Sequence, residues 1–332
     1  MQRFMNDPDR IVEDMIKGYA KAHKDVIHIC EGNDHVVVKN HLKQGKVGIV
    51  SGGGSGHEPC FFGYVGEHML DAAAAGEVFS SPPATAFYEA FKVADTGAGV
   101  ACLFGNYAGD NMNVKMAVQM AKMNGIDVRY VTATDDLASA PKDEKEKRHG
   151  IAGSLFMWKI GCAKAELGGT LEEVIQAAQE AVDETRSICV GLTPCSIPAV
   201  GHPNFTIEEG TMEYGIGHHG EPGIQVKPIA SAKQIAEDLC HQIICDLEVE
   251  EGEEVAVIVS GLGGTPLMEL YVLYHEVECY LQERGIRIYT SFVGNYVTSL
   301  EMSGAALTMM RVKEHMKELL DLDVDTPEFK MK

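Results

Sequence analysis

Apolar residues in this chain fall in short runs separated by stretches of helical spacing. Val47, Ile49 and Val50 form one run, residues 100–104 (Val, Ala, Cys, Leu, Phe) a second, and Val128, Tyr130 and Val131 a third. Each is followed by a cluster of turn-forming residues, the pattern of a strand. Residues 83–94 and 113–123 carry apolar positions at helical spacing. Residues 168–183 predict a further helix, with Thr170 as N-cap and Glu173 three residues on as a capping box. The cycle then restarts: 188–192, 254–260 and 287–292 predict strands, and 267–281 a helix. Strand, glycine loop and helix in repetition predict parallel α/β sheets with ligands at the carboxyl ends of the strands. A boundary near Asp183 divides the chain into two α/β domains, 1–183 and 184–332, which suits a length of 332 residues.

Charge narrows the classes of partner. Lys plus Arg number 28 and Asp plus Glu 49, a net charge of −21, which argues against nucleic acid or an anionic membrane surface as a ligand. The 9 cysteines show no CxxC pair, so neither a disulfide framework nor a thiolate zinc site is expected. The N-terminus lacks the apolar core of a signal peptide, and no apolar run reaches membrane-spanning length. A soluble, cytoplasmic protein is expected. The acidic run 246–254 predicts a solvated turn, and residues 321–332 a frayed or edge-like tail. Trp158, the only tryptophan, lies in an apolar run and predicts core.

Three loops could carry chemistry. Residues 51–59 (SGGGSGHEP) lack the Gly-Lys-Ser/Thr ending of a P-loop and have His57 where a dinucleotide fingerprint needs its third glycine. Their glycines allow close approach to a small ligand beside His57, or make only a tight turn with His57 as a cap. Asp110, in NYAGD at 106–110, is a candidate carboxylate or a helix N-cap. His218 and His219, in GIGHHGEPG at 215–223, lack the i, i+4 spacing of helical metal ligands. They suit a nucleophile, acid or base on an accessible loop, or an exposed polar turn, and Glu221 could orient one of them. Cys195 has no evident base nearby in the sequence and is not read as a nucleophile.

Taken in order, these segments resemble one family, the dihydroxyacetone kinases, and specifically their substrate-binding K unit. The resemblance rests on residues 51–59, GEVFSSP at 76–82, NYAGD at 106–110, RHGIAG at 148–153, the stretch ending HHGEPG at 218–223, GLGGTPLMEL at 261–270 and GNYVTSLEM at 294–302. It implies a first domain like a sugar-phosphotransferase component, a tubulin-like second domain, and a homodimer. It also implies covalent capture of a ketone: the imidazole before Gly-Glu-Pro-Gly, His219, adds to the carbonyl as a hemiaminal, which admits ketoses and excludes glycerol. By the same resemblance Asp110 is the general base on the terminal hydroxyl and His57 hydrogen-bonds the substrate and assists proton traffic. The backbone of Gly54, Ser55 and Gly56 lines the pocket. The best-known members carry a lysine just before the Asn-Tyr-x-Gly-Asp segment, where this chain has Gly105, which opens the site to a longer ketose such as erythrulose.

Single-chain ATP-using members add a helical L domain for nucleotide and magnesium. No segment after Thr308 is long enough for it, and the chain lacks a Walker lysine and a magnesium-type Asp cluster. The expectation is a chain with no metal or cofactor of its own. A separate L-type subunit then carries ADP or ATP with magnesium and exchanges ATP or is recharged through a phosphoenolpyruvate-dependent phosphotransferase phosphocarrier. One rival is a ketone-sensing transcriptional co-activator. Another is a GTPase-like protein, suggested by residues 261–265, which the K-unit resemblance accounts for without a nucleotide.

Overall fold

A computed structural model describes residues 3–203 and 205–332. The chain divides into two compact units, Met1–Thr132 with Met157–Glu180 and Glu318–Lys332, and Ala133–Phe156 with Ala181–Lys317. A single cut near Asp183 does not describe this division, because the chain passes between the units more than once.

The first unit is built on strands β1 (Ile27–Ile29), β2 (Val36–Lys39), β3 (Gly48–Ser55), β4 (Ala72–Val78), β5 (Val100–Gly105) and β6 (Val128–Ala133). Their spatial order is β1-β2-β4-β3-β5-β6. Strand β3 runs parallel to β4 and β5, as the strand–loop–helix cycle predicts, while the β1–β2 and β2–β4 pairs are antiparallel. Among its helices are α1 (Ile11–Ala22), α2 (Ala84–Ala94) and α3 (Ala108–Met123). Ala84, Phe87, Phe91 and Ala94 lie on one stripe of α2 and are buried with Val50, Cys102 and Phe104 of the sheet. Helices α4 (Ser154–Glu166) and α5 (Leu171–Asp183) follow, and the capping box at the start of α5 is present: Glu173 N–H donates to Thr170 Oγ1 at 3.4 Å and Thr170 N–H to Glu173 Oε2 at 2.8 Å. Trp158 on α4 is 1% exposed, and its Nε1–H donates to Leu103 O of β5 at 3.0 Å.

The second unit has strands β7 (Thr185–Gly191), β8 (Thr211–Tyr214), β9 (Gln225–Pro228), β10 (Glu254–Gly261), β11 (Arg287–Gly294) and β12 (Gly304–Arg311), with helices α6 (Ala232–Leu247) and α7 (Leu267–Glu283). The order is β11-β10-β12-β7-β8-β9. Only β10–β11 is parallel; the other pairs are antiparallel. The parallel reading fails here for a local reason. Parallel neighbours need a long crossover, which α7 supplies, whereas β8 and β9 are joined as a hairpin and β12 returns without a helix. Leu239 and Ile243 of α6 and Leu270 and Val277 of α7 pack with Val257, Val259 and Leu307 of the sheet.

Two expectations about charge and order change. Asp246, read as part of a solvated turn, ends α6 and accepts from Arg148 Nη1 and Nη2 at 2.8 and 2.7 Å and from Arg186 Nε at 2.6 Å. Burial alone would raise its carboxyl pKa, but the two guanidinium groups outweigh this and hold it at about 2. The tail, expected to fray, is anchored. After α8 (Lys317–Asp321), β13 (Val324–Asp325) and β14 (Lys330–Met331) pair, Phe329 is buried, and Thr326 Oγ1 donates to Gly63 O at 2.7 Å. Among the described residues no helix is long and apolar enough to cross a membrane.

Candidate active site

His57 and Asp110 lie in the first unit and His219 in the second. In the first unit, β3 extends through Ser55, so Gly52, Gly53 and Gly54 are strand residues rather than loop. They are glycines because of what passes close to them. A Cβ on Gly52 would meet Phe87 Cε1 at 2.8 Å, one on Gly53 would meet Phe61 Cε2 at 2.6 Å, and one on Gly54 would meet Ser80 N at 2.7 Å. Ser55 Oγ donates to Gly76 O at 2.8 Å. The chain then turns at Gly56, whose φ of +99° suits glycine and whose N–H donates to Glu58 Oε1 at 3.0 Å. Burial raises the Glu58 pKa, and the Gly56 N–H offsets part of that rise. His57 follows, 6% exposed, its ring stacked on Phe79 with centroids 5.1 Å apart.

Asp110 is not an N-cap. Tyr107 holds that position, and Asp110 is the third residue of α3, buried, where the helix dipole favours a carboxylate. Its Oδ1 accepts from Ser81 Oγ at 2.7 Å. Gly105 ends β5.

In the second unit the two adjacent histidines have opposite environments. His218 is 2% exposed, with Nε2 3.6 Å from Cys189 Sγ, and its carbonyl accepts from Ser299 Oγ. Burial, reinforced by the charge of His219, pushes its pKa down to about 4, so it is neutral at pH 7. The His219 side chain is 26% exposed, on the loop between β8 and β9, and Nδ1 lies 3.0 Å from Glu221 Oε1. Glu221 also accepts from the His219 backbone N–H at 2.9 Å. Burial would raise the Glu221 pKa, but the His219 side chain and backbone N–H groups bring it to about 2. An ionised carboxylate only accepts, so Nδ1 carries a proton, and in the neutral imidazole the lone pair is then on Nε2.

Two groups near this pair went unread in the sequence. Asp136 Oδ1 accepts from Ala138 N–H at 3.1 Å. Its pKa is raised to about 7, by burial first and then by the charges of Asp135 and Glu221. His149, of RHGIAG, has its pKa lowered by burial, with Glu221 opposing. Both stand in segments visible in the sequence, but neither spacing nor composition marked them. Among the described residues no group of three or more His, Cys, Asp or Glu is placed to hold a metal ion.

Residues 17–328 match the Dak1 domain. This chain belongs to the Dak1 family. The Dak1 chain is 41% identical over 327 residues to a PTS-dependent dihydroxyacetone kinase 1, dihydroxyacetone-binding subunit DhaK, of Listeria innocua, covering 98% of this chain and 99% of that one. It is 39% identical over 330 residues to a D-erythrulose kinase of Mycolicibacterium smegmatis, covering 99% of this chain but only 57% of that enzyme. Among solved structures it matches a dihydroxyacetone kinase operon co-activator, Dha-DhaQ, with a TM-score of 0.88 and 32% identity over 96% of this chain and 97% of that one. The Dak1 fold thus serves kinase subunits, a longer kinase and a co-activator.

Proposed function

We propose that this chain is the substrate-binding subunit of a cytoplasmic dihydroxyacetone kinase, which captures the ketone on His219 and presents its hydroxyl for phosphorylation to dihydroxyacetone phosphate. The observation that carries this reading is the His219–Glu221 pair. Glu221 fixes the tautomer with the proton on Nδ1, which leaves Nε2 as the nucleophile. Nε2 attacks the carbonyl carbon, a C–N bond forms, and the carbonyl π pair goes to oxygen, which takes a proton. Nδ1–H gives up its proton to Glu221, Glu221 returns to carboxylate as that one proton is passed on to the alkoxide oxygen, no water is lost, and the product is a neutral hemiaminal. The contrast with buried, neutral His218 supports His219 as the reacting member of the pair.

Asp110 is the general base: it takes the proton of the terminal hydroxyl as that oxygen bonds to phosphorus and the leaving group departs. His57 hydrogen-bonds the substrate and assists the proton, and the backbone of Gly54, Ser55 and Gly56 lines the pocket. The phosphoryl group comes from a separate L-type subunit holding ADP or ATP and magnesium. The Listeria relative, named PTS-dependent and matched over 99% of its length, supports recharging by a phosphotransferase-system phosphocarrier. The subunit is a homodimer, and β9, the last strand of its sheet, exposes Val226 beside Ile224 and Ile229, three apolar side chains at a sheet edge.

Intact-protein mass spectrometry with dihydroxyacetone tests the capture. The expected result is addition of one whole ketone to the wild type and none to His219→Ala; equal adducts in both would overturn the reading. Gly105 and the erythrulose kinase relative favour a second substrate, a four-carbon ketose. Turnover of erythrulose against dihydroxyacetone, with the partner present, separates the two, and inertness toward both would remove the ketose reading. The co-activator neighbour raises the alternative of a ketone sensor. A sensor needs capture but no base, so loss of turnover in Asp110→Asn with capture retained favours the kinase.

A further inference from the structure

The segment 76–82 has no role in the reading above, yet it touches both candidate groups of the first unit. Phe79, at φ +56°, stacks on His57, and Ser81 Oγ donates to Asp110 Oδ1 at 2.7 Å. Asn113, one turn further along α3, donates from Nδ2 to Ser81 Oγ at 3.3 Å and to Pro82 O at 2.8 Å. A serine hydroxyl has one proton and accepts through its lone pairs. Ser81 Oγ also lies 3.4 Å from Pro82 O, but Asp110 Oδ1 at 2.7 Å is the nearer acceptor, so with Asn113 donating into Ser81 Oγ the Ser81 proton is directed to Asp110. The segment is held by close approach on three sides. A Cβ on Gly54 would meet Ser80 N at 2.7 Å, one on Gly76 would meet Pro82 N at 2.7 Å, and one on Gly109 would meet Ser81 Cβ at 3.1 Å. Three glycines from three different elements therefore admit this one turn, and the turn delivers one hydroxyl to one carboxylate.

We propose that Ser81 is a positioning residue for phosphoryl transfer: aligned by Asn113, it fixes the rotation of the Asp110 carboxylate and holds that carboxylate in its ionised, proton-accepting form. The inference rests on the reading of Asp110 as general base. A donated hydrogen bond stabilises the charged form of a carboxylate and so lowers its pKa. Removing the donor raises that pKa, and the acid side of the rate profile, below which the base is protonated, moves to higher pH. The substrate is unaffected at the capture step, because His219 and Glu221 form that site.

The experiment measures the pH profile of kcat for the ketone-loaded subunit with its phosphoryl-donating partner, for wild type, Ser81→Ala, Ser81→Thr and Asp110→Asn, and the ketone adduct by mass spectrometry in each. For Ser81→Ala we expect a wild-type adduct, an unchanged KM, a roughly tenfold lower kcat and an acid limb displaced upward by about one pH unit, the size of effect that follows from one hydrogen bond to a charged group. Ser81→Thr keeps the hydroxyl and is expected to restore the wild-type limb. A purely structural serine would lower thermal stability without moving the limb. A wild-type kcat and limb in Ser81→Ala, with Asp110→Asn inactive, overturns the inference and leaves the base intact. An equally displaced limb in Ser81→Thr also overturns it, since the hydroxyl would then not be the cause. Full turnover in Asp110→Asn removes the base reading itself, a separate and recognisable result.

Discussion

The two units hold their candidate chemistry by different means. In the first, His57 follows a strand end and Asp110 sits in the first turn of a helix, both buried, with neighbours packed so closely that glycine is required. In the second, His219 rides on a loop, partly exposed, and is fixed mainly by one carboxylate two residues away. The contrast follows from the chemistry proposed for each. A base must meet one proton in one geometry, which regular elements and close packing secure. A nucleophile that captures a small ketone must be reachable, and needs its tautomer fixed more than its position.

The largest effect that tests this contrast is expected for Asp110→Asn. Turnover with the partner should fall by about 10³-fold, within the range for a lost general base, while the ketone adduct persists. Loss of the adduct as well would show that capture depends on the first unit and would break the division of labour. Next is Glu221→Gln, which keeps the shape but removes the charge facing Nδ1. Adduct occupancy and turnover should fall by roughly 10- to 100-fold, taking as a guide the cost of removing a carboxylate that orients a metal-bound histidine, with circular dichroism unchanged. Unaltered capture would mean that the tautomer of His219 is set elsewhere. Smaller, and read here through stability although the residue also lines the proposed pocket, is Gly54→Ala. Its Cβ would approach Ser80 N to 2.7 Å, and chemical denaturation should show a loss of about 2 kcal/mol from overpacking. Gly18→Ala in α1, where a Cβ meets nothing within 4 Å, should instead be neutral or slightly stabilising.

The last effect concerns Asp136 and shows only as a function of pH. Its folded-state pKa of about 7 lies above the value of about 3.9 for an unperturbed aspartate. The folded protein therefore holds this proton more tightly than the unfolded chain, and the associated stability is present at acid pH and lost as pH rises from about 4 through 7. Asp136→Asn retains an acceptor for Ala138 N–H without the charge. Its thermal midpoint should exceed that of the wild type at pH 8 and converge with it near pH 4. Parallel curves across that range would contradict the elevated pKa.

Much of the first unit was legible because strand, turn and helix follow one another in local sequence, as at β3, β5 and β6. The second unit was less so, since β12 pairs antiparallel to β7 and β10 through register set at long range. The candidate residues stood out through unusual neighbours: histidine among glycines at 57 and 219, aspartate after Asn-Tyr-Ala-Gly at 110. Glu221 was legible as a possible orienting group, and its hydrogen bond to His219 gives that role a geometry. Ser81 and Asp136 were not, because their significance comes from partners brought in by the fold, Asn113 for the one and the charges of Asp135 and Glu221 for the other. The alternative reading of Asp110 as a cap was off by three residues, because local sequence does not fix where a helix opens.

The single tryptophan has a practical consequence. Trp158 is buried in the first unit, its indole near Tyr64 and edge-on to Phe61, the ring that packs over Gly53 of β3. Intrinsic fluorescence of the native protein therefore reports from one address. Its red shift on titration with denaturant follows the loosening of the half that carries His57 and Asp110, while far-ultraviolet ellipticity follows both halves. If the two signals change at different denaturant concentrations, the units unfold separately, and no label need be introduced to see it.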